Sequence, residues 1–180
     1  PDSYRLDVYP THRTAAAPQS VYDATYANAG KTKLVDSSAG LIPQDGEGGI
    51  PFPLAKDGVE AIWNHLMRWR GASWHTDFTQ YLTTSDGKHV LTNNSRGDYQ
   101  MPWYLPDGGK KDGTYLPGQR RVRRLPNACC DTPTPATAGV MSFDELYVFN
   151  GRVDRFDWKL VGKKEMYIPY NANKVLTAAN

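Results

Sequence analysis

The sequence is poor in most of the features that announce a function. No run approaches the ~20 consecutive apolar residues that a membrane-spanning helix needs, so its expected relation to a membrane is peripheral at most. Basic and acidic residues nearly cancel, 21 against 19 for a net charge of +2. That balance gives no general drive toward nucleic acid or acidic partners. There are only two cysteines, and they are adjacent, Cys129 and Cys130. They cannot staple distant parts of one chain together. A vicinal disulfide demands a strained local backbone, so free thiols and intermolecular pairing stand beside it as readings. A metal site built on them lacks two further nearby soft ligands. None of Ser37, Ser38, Ser73, Ser85, Ser95 and Ser142 sits in a Gly-x-Ser-x-Gly elbow. The glycine-rich Asp45-Gly46-Glu47-Gly48-Gly49 lacks the Gly-Lys-Ser/Thr ending of a phosphate loop, and its two acids would repel phosphate.

What the chain does have is aromatic residues, 11 tyrosines and 5 tryptophans, within a modest apolar fraction of 39%. Rings with a polar tip suit half-exposed sheet faces and interfaces. At 180 residues the chain fits one domain, or the central part of one. Asn150-Gly151, between Val148-Phe149 and a run ending Phe156-Asp157-Trp158, is a strong hairpin signal, because both central residues of a type I′ turn need positive φ. Phe143, Tyr147, Phe149, Phe156 and Trp158 fall mainly on one set of alternating positions. Such a face is a core or the wall of a ligand groove.

A helix is expected over residues 58–69. Asp57 suits its N-cap with Glu60 at capping-box spacing, and Val59, Ile62, Leu66 and Trp69 recur at helical intervals with Trp63 at the edge. Arg68 and Arg70 suit its C-terminal turn, and Gly71 ends it. Residues 74–83 read as a strand with Trp74, Phe78 and Leu82 of one parity, returning over 88–92 after the turn Ser85-Asp86-Gly87. Residues 93–118 read as a long loop or flap, and 119–124 as a short basic strand. The hairpin 142–150/152–158 and a strand over 165–168 follow. Residues 3–9 are a candidate extended segment, 21–30 strand or loop, and 40–53 too rich in Gly and Pro for a long regular element. Antiparallel hairpins in sequence order with one helix laid on them argue an α+β domain.

Candidate chemistry is sparse. His75 and Asp77 share a strand face, and His89 is a candidate to sit across that hairpin, a set that would bind zinc if the register allowed it. A solvated cross-strand pair is the plainer reading, and no metal or cofactor is expected. His65 reads as a surface or hydrogen-bonding residue. Asp154 and Asp157 have opposite strand parity, which separates them as a glycosidase pair, and Arg152 and Arg155 stand ready to form ion pairs with them. No catalytic residue is assigned. Arg120, Arg121, Arg123 and Arg124 read as a charged edge strand, as partners of acidic neighbours, or as an anionic-headgroup site.

Three segments carry a family resemblance. They are Asp57-Gly58-Val59-Glu60-Ala61-Ile62-Trp63-Asn64-His65, Gln119-Arg120-Arg121-Val122-Arg123-Arg124, and the run from Asn150-Gly151-Arg152-Val153 through Lys163-Lys164-Glu165-Met166 to Tyr170-Asn171. Over residues 50–171 the chain resembles the DUF1329 proteins of Gram-negative bacteria, some described as outer-membrane lipoprotein-sorting proteins. The resemblance implies a periplasmic portion of a longer protein. It also implies a curved antiparallel sheet of the LolA/LolB type, with one or more helices on its concave face cupping an apolar ligand. The expected function is a non-enzymatic binding or carrier protein for a lipid, lipoprotein acyl chain or other apolar molecule. Its candidate walls are Trp63, Trp69, Trp74, Phe78, Phe149, Phe156 and Trp158, with Arg121 and Arg123 at the rim for an anionic headgroup. The alternatives are an envelope protein–protein interaction module and a hydrolase whose site is unidentified.

Overall fold

The computed structural model describes residues 8, 10, 16–38, 40–100, 103, 114–116, 121–123, 132–134, 137, 139–145 and 147–169. The first element is a helix, α1 (Gln19–Asn28), over residues expected to form a strand or loop. It has no apolar stripe and no side-chain cap, since Pro18 precedes it. A helix this short is marginal alone and needs tertiary support. Asn28 supplies it: buried at the end of α1, it donates through Nδ2 to the carbonyls of Glu47 (3.0 Å) and Ile50 (3.1 Å) and accepts from the Glu47 N–H (2.8 Å). Thr25 adds a fourth tie, accepting the Ile50 N–H at 2.9 Å. The glycine-rich segment is thereby a clamp on α1. Trp103 closes it from outside, donating its indole N–H to the Gly49 carbonyl at 2.8 Å.

Strands β1 (Lys33–Ser37) and β2 (Gly40–Gln44) form a separate two-stranded antiparallel sheet. Pro43 is tolerated in β2 because a two-stranded ribbon leaves one side of each strand without a ladder. The second helix, α2 (Gly58–Leu66), is the expected one but stops three residues early. Asp57 caps it by accepting from the Glu60 N–H at 2.9 Å, and Glu60 in turn accepts from the N–H of Lys56, one residue before the cap. Gly71, at φ +98, then turns the chain into β3.

Strands β3 (Ser73–Thr83), β4 (His89–Gln100), β5 (Thr114–Leu116) and β6 (Arg121–Arg123) make a four-stranded antiparallel sheet in that order. The β3–β4 hairpin forms where expected, but β4 runs eight residues past the expected strand end at 92, into the first residues of the expected loop. A long partner strand carried these polar residues into a ladder despite their turn-forming character. One residue is extra in β4, since Gln80 pairs with Asn93 and Tyr81 with Leu91, which makes a β-bulge. In β3, Trp74, Thr76 and Leu82 are half-buried while His75, Asp77, Thr79, Tyr81 and Thr83 are exposed, the alternation the sequence implied.

Four expectations fail. Among the described residues no curved or closed sheet forms; their architecture is small antiparallel sheets and two short helices. Helix α2 packs against β2 and a 3-10 turn (Val153–Arg155), so it does not line a concave sheet face. The hairpin at Asn150-Gly151 is absent. The left-handed residues lie upstream at Tyr147 (φ +58) and Val148 (φ +81), and Gly151 is not among the residues with positive φ. Asn150 donates its N–H to the Asp144 carbonyl at 3.0 Å, and Asp144 packs so closely on Gly151 that a Cβ there would collide with its carboxylate. Gly151 is therefore present for close approach. Residues 157–169 hold no regular element, so the strand over 165–168 is absent too.

The core is small. Among the described residues the buried apolar side chains are Val21, Phe52 and Val153. Phe52 is fixed by Asn64 of α2, which accepts from its N–H (2.8 Å) and donates to its carbonyl (2.6 Å). No described helix is long and apolar enough to cross a membrane. Residues 3–7 and 9, Cys129 and Cys130 lie outside the described residues.

Candidate functional site

The residues singled out in the sequence divide between two places around α2. At its N-terminal side the chain after Trp158 crosses the helix so closely that a Cβ on Gly58 would overlap the Trp158 backbone. Trp158 donates its indole N–H to the Val153 carbonyl at 2.7 Å, which folds its ring back onto the 3-10 turn. There it meets Phe149 (centroids 4.8 Å apart) and Phe156 (5.7 Å), and those two meet each other at 5.7 Å, all edge-to-face. Phe149, Phe156 and Trp158 are thus brought together, as expected, by a turn rather than by strands. Each ring packs against the other two, so the trio is a packed cluster.

Trp63 sits elsewhere, donating its N–H to the Leu41 carbonyl of β2 at 2.8 Å. Trp69 is half-buried beyond the end of α2. Trp74 lies at the start of β3 under the Arg70 guanidinium, 5.5 Å from the ring centroid. Phe78 is in β3 opposite Ser95, and Arg121 and Arg123 are in β6 opposite Leu116 and Thr114. The side chains of these three lie outside the described residues.

The metal reading is undone by register. His75 pairs with Asp98 and His89 with Thr83, so the two histidines stand toward opposite ends of the hairpin, about 26 Å apart at ~3.3 Å per residue. His75 instead approaches Asp77 at 3.5 Å, and His89 meets the Thr83 hydroxyl at 3.0 Å. The described residues contain no group of three potential ligands. Asp154 pairs with Arg152, whose hydrogen bond holds its carboxyl below the usual range. Arg155 reaches back to Asp144 at 2.5 Å. These are ordinary ion pairs.

The second place, at the C-terminal end of α2, is one that sequence reasoning passed over. Arg68 Nη1 donates to the His65 carbonyl at 2.6 Å and caps the helix. His65 Nε2 lies 3.2 Å from the Phe149 carbonyl and 3.3 Å from Arg68 Nη1. A carbonyl can only accept and a guanidinium only donate, so one nitrogen cannot bond both. The carbonyl contact requires Nε2–H, which leaves Arg68 facing a donor. Burial chiefly, then the Arg68 charge, hold the His65 pKa below its ordinary value, while the carbonyls of Phe149 and Tyr147 pull the other way. Burial and then Arg70 likewise lower Arg68, which stays cationic. Both guanidiniums stand over one ring, Tyr147, at 6.0 Å for Arg68 and 4.6 Å for Arg70. A sequence signal for this site existed: residues 61–76 contain His65, Arg68, Arg70 and His75 but no acid.

The segments that carried the family resemblance, 57–65 and 150–158, prove to pack on each other, Gly58 against Trp158 and α2 against the 3-10 turn. The family model for proteins of unknown function DUF1329 matches residues 1–114 and 113–180. The Pseudomonas aeruginosa protein named "Uncharacterized protein PA3922" is 35% identical, over 97% of this chain and 46% of its own length. The chain thus spans about half the length of that curated relative. No solved structure matches. With the family model covering its whole length, the chain belongs to the DUF1329 family.

Proposed function

We propose that the chain is part of a non-enzymatic binding protein of the Gram-negative periplasm, holding a lipid, a lipoprotein acyl chain or another apolar molecule. The observation that supports this reading is where the large rings are. None of the five tryptophans is buried; all are half-exposed, and Phe156 is 49% exposed. The apolar stripe of α2 (Val59, Ile62 and Leu66) and the inner face of β3 are only half-covered by their own chain. Large rings left at the surface at about 25 cal/mol per Å² favour a partner that removes them from water. Native mass spectrometry of the full protein purified from a periplasmic extract tests the reading. A co-purifying lipid mass is expected, and a bare protein mass that takes up no added fatty acid or phospholipid overturns it.

A second reading, an interaction module for another envelope protein, is favoured by one observation. Residues 159–169 are all exposed and without regular structure, and they carry Val161 (93% exposed), Met166, Tyr167 (81%) and Ile168. An extended apolar segment of this kind can add as a strand to a partner's sheet edge. A stoichiometric protein partner in the same measurement, lost when Val161 and Tyr167 are changed to Asp, selects this reading over the first.

A further inference from the structure

Asn150-Gly151 is the one Asn-Gly pair in the chain, and the fold makes no hairpin of it. Both residues are half-buried, in irregular chain between the left-handed turn and the 3-10 turn. Asparagine before glycine is chemically labile. Its side-chain carbonyl carbon can close a succinimide ring on the next backbone nitrogen, and glycine has no Cβ to hinder the approach. A fold suppresses this closure by holding the reacting groups in hydrogen bonds. Asn28 and Asn64, the other asparagines whose side chains the structure describes, are held in that way. Asn28 binds the Glu47 and Ile50 carbonyls and the Glu47 N–H, and Asn64 binds both backbone groups of Phe52. Asn150 is different. Its backbone N–H is bound to the Asp144 carbonyl, but among the described contacts its side-chain amide has no partner. The Gly151 N–H, the other reacting group, donates no hydrogen bond either. Asp144, whose carboxylate lies against Gly151, has its charge met by Arg155 at 2.5 Å. That ion pair weakens the field that would otherwise oppose loss of the Gly151 proton.

We propose that Asn150-Gly151 is a self-modification site, at which Asn150 deamidates in the folded protein with water as the co-reactant. The Gly151 nitrogen gives up its proton and attacks Cγ of Asn150. The new N–C bond closes the succinimide, and the side-chain nitrogen leaves with a proton as ammonia. Water then opens the ring. Cleavage of the new bond restores the ordinary backbone, with aspartate at position 150. Cleavage of the original peptide bond leaves the chain running through Cγ, as isoaspartate. Either product adds a negative charge beside Asp144, and isoaspartate also lengthens the main chain by one atom. Length matters at this point. Gly151 sits against Asp144 with no room for a Cβ, and Phe149 docks on His65 of α2 through its carbonyl at 3.2 Å. Conversion therefore releases the turn over residues 144–151 from α2, and the protein loses stability as it ages.

The protein is incubated at physiological temperature at pH 8 and at pH 5, both folded and in denaturing guanidinium. Peptide mapping by mass spectrometry and methyltransferase labelling of isoaspartate then read the products at each asparagine. In the folded protein the amide is expected to be lost at Asn150 before Asn28 or Asn64, faster at pH 8 than at pH 5, with isoaspartate the larger product. Asn150→Gln abolishes the labelling at this position, and Asn150→Ser serves as the second variant where the longer side chain lowers the starting melting temperature. The melting temperature of the wild type falls in step with conversion, while that of the variant stays constant through the same incubation. Conversion in guanidinium but not in the folded protein overturns the proposal, because the fold then protects the pair. Retention of the amide in both states overturns it as well. A rate at pH 5 equal to that at pH 8 overturns the cyclisation route. Full conversion with an unchanged melting temperature overturns the release of the turn.

Discussion

Glycine chemistry sets the sharpest contrasts between single residues. At Gly151 the neighbouring Asp144 carboxylate occupies the space a Cβ needs, and Asp144 is held by Arg155 on Oδ2 and by the Asn150 N–H on its carbonyl, so it has little slack. Gly151→Ala is expected to lose about 1–3 kcal/mol in urea unfolding, the cost of overpacking a tight contact. Gly30, with nothing within 4 Å of its would-be Cβ and no positive φ, provides the control: Gly30→Ala gains about 0.4–1 kcal/mol by reducing the freedom of the unfolded chain. His65 gives the pH dependence. Its folded pKa lies below its unfolded value of 6.5, so the folded state binds the proton less readily than the unfolded one. Its contribution is complete above pH 6.5 and is lost as pH falls through the folded value. Melting temperatures between pH 7.5 and pH 5 are expected to fall with acid in the wild type, and more shallowly in His65→Gln.

Among the elements, α1 depends on a single side chain. Asn28→Ala would leave the Glu47 N–H and two carbonyls without their partner, at about 1–3 kcal/mol for each group that stays buried. Loss of at least ~2 kcal/mol is expected, together with amide exchange across α1, whereas Asp57→Ala at the α2 cap costs about 1 kcal/mol. This asymmetry explains which elements the sequence disclosed. Helix α2 and the β3–β4 hairpin announce themselves through a cap, a period and a turn, all written within a few residues. Helix α1 has no such signals, because its determinant is a contact with a loop 19 residues away. The Asn150-Gly151 pair misled for a related reason: the glycine answers to Asp144, a neighbour the strand pattern gave no cause to place there. The ring cluster of Phe149, Phe156 and Trp158 was legible as a set of residues, though not as a turn. The Arg68–Arg70–Tyr147 grouping was not legible, since Tyr147 reaches it only through the left-handed turn.

Across the whole molecule, the described core holds three buried apolar side chains while large apolar residues stay exposed along residues 156–168. Lys159, Lys163 and Lys164 make that stretch the expected site of early limited trypsin digestion, with cuts there preceding those at Arg68 and Arg70 just beyond α2. Protection of these sites on adding a bound lipid or protein partner would map what covers them. The long-range ties around α2 also have a consequence for biosynthesis. His65 waits for Phe149, 84 residues downstream, and Ser38 for Arg152, 114 downstream. At about 5–20 residues per second, a ribosome leaves α2 without the downstream part of its packing surface for roughly 4–17 s. Through that interval a nine-residue helix, marginal alone, has only its upstream ties to β2 and Phe52, and its stripe of Val59, Ile62 and Leu66 is offered to chaperones. Nascent chains arrested before residue 149 should therefore crosslink to a holdase through α2, and those arrested well past residue 158 should not.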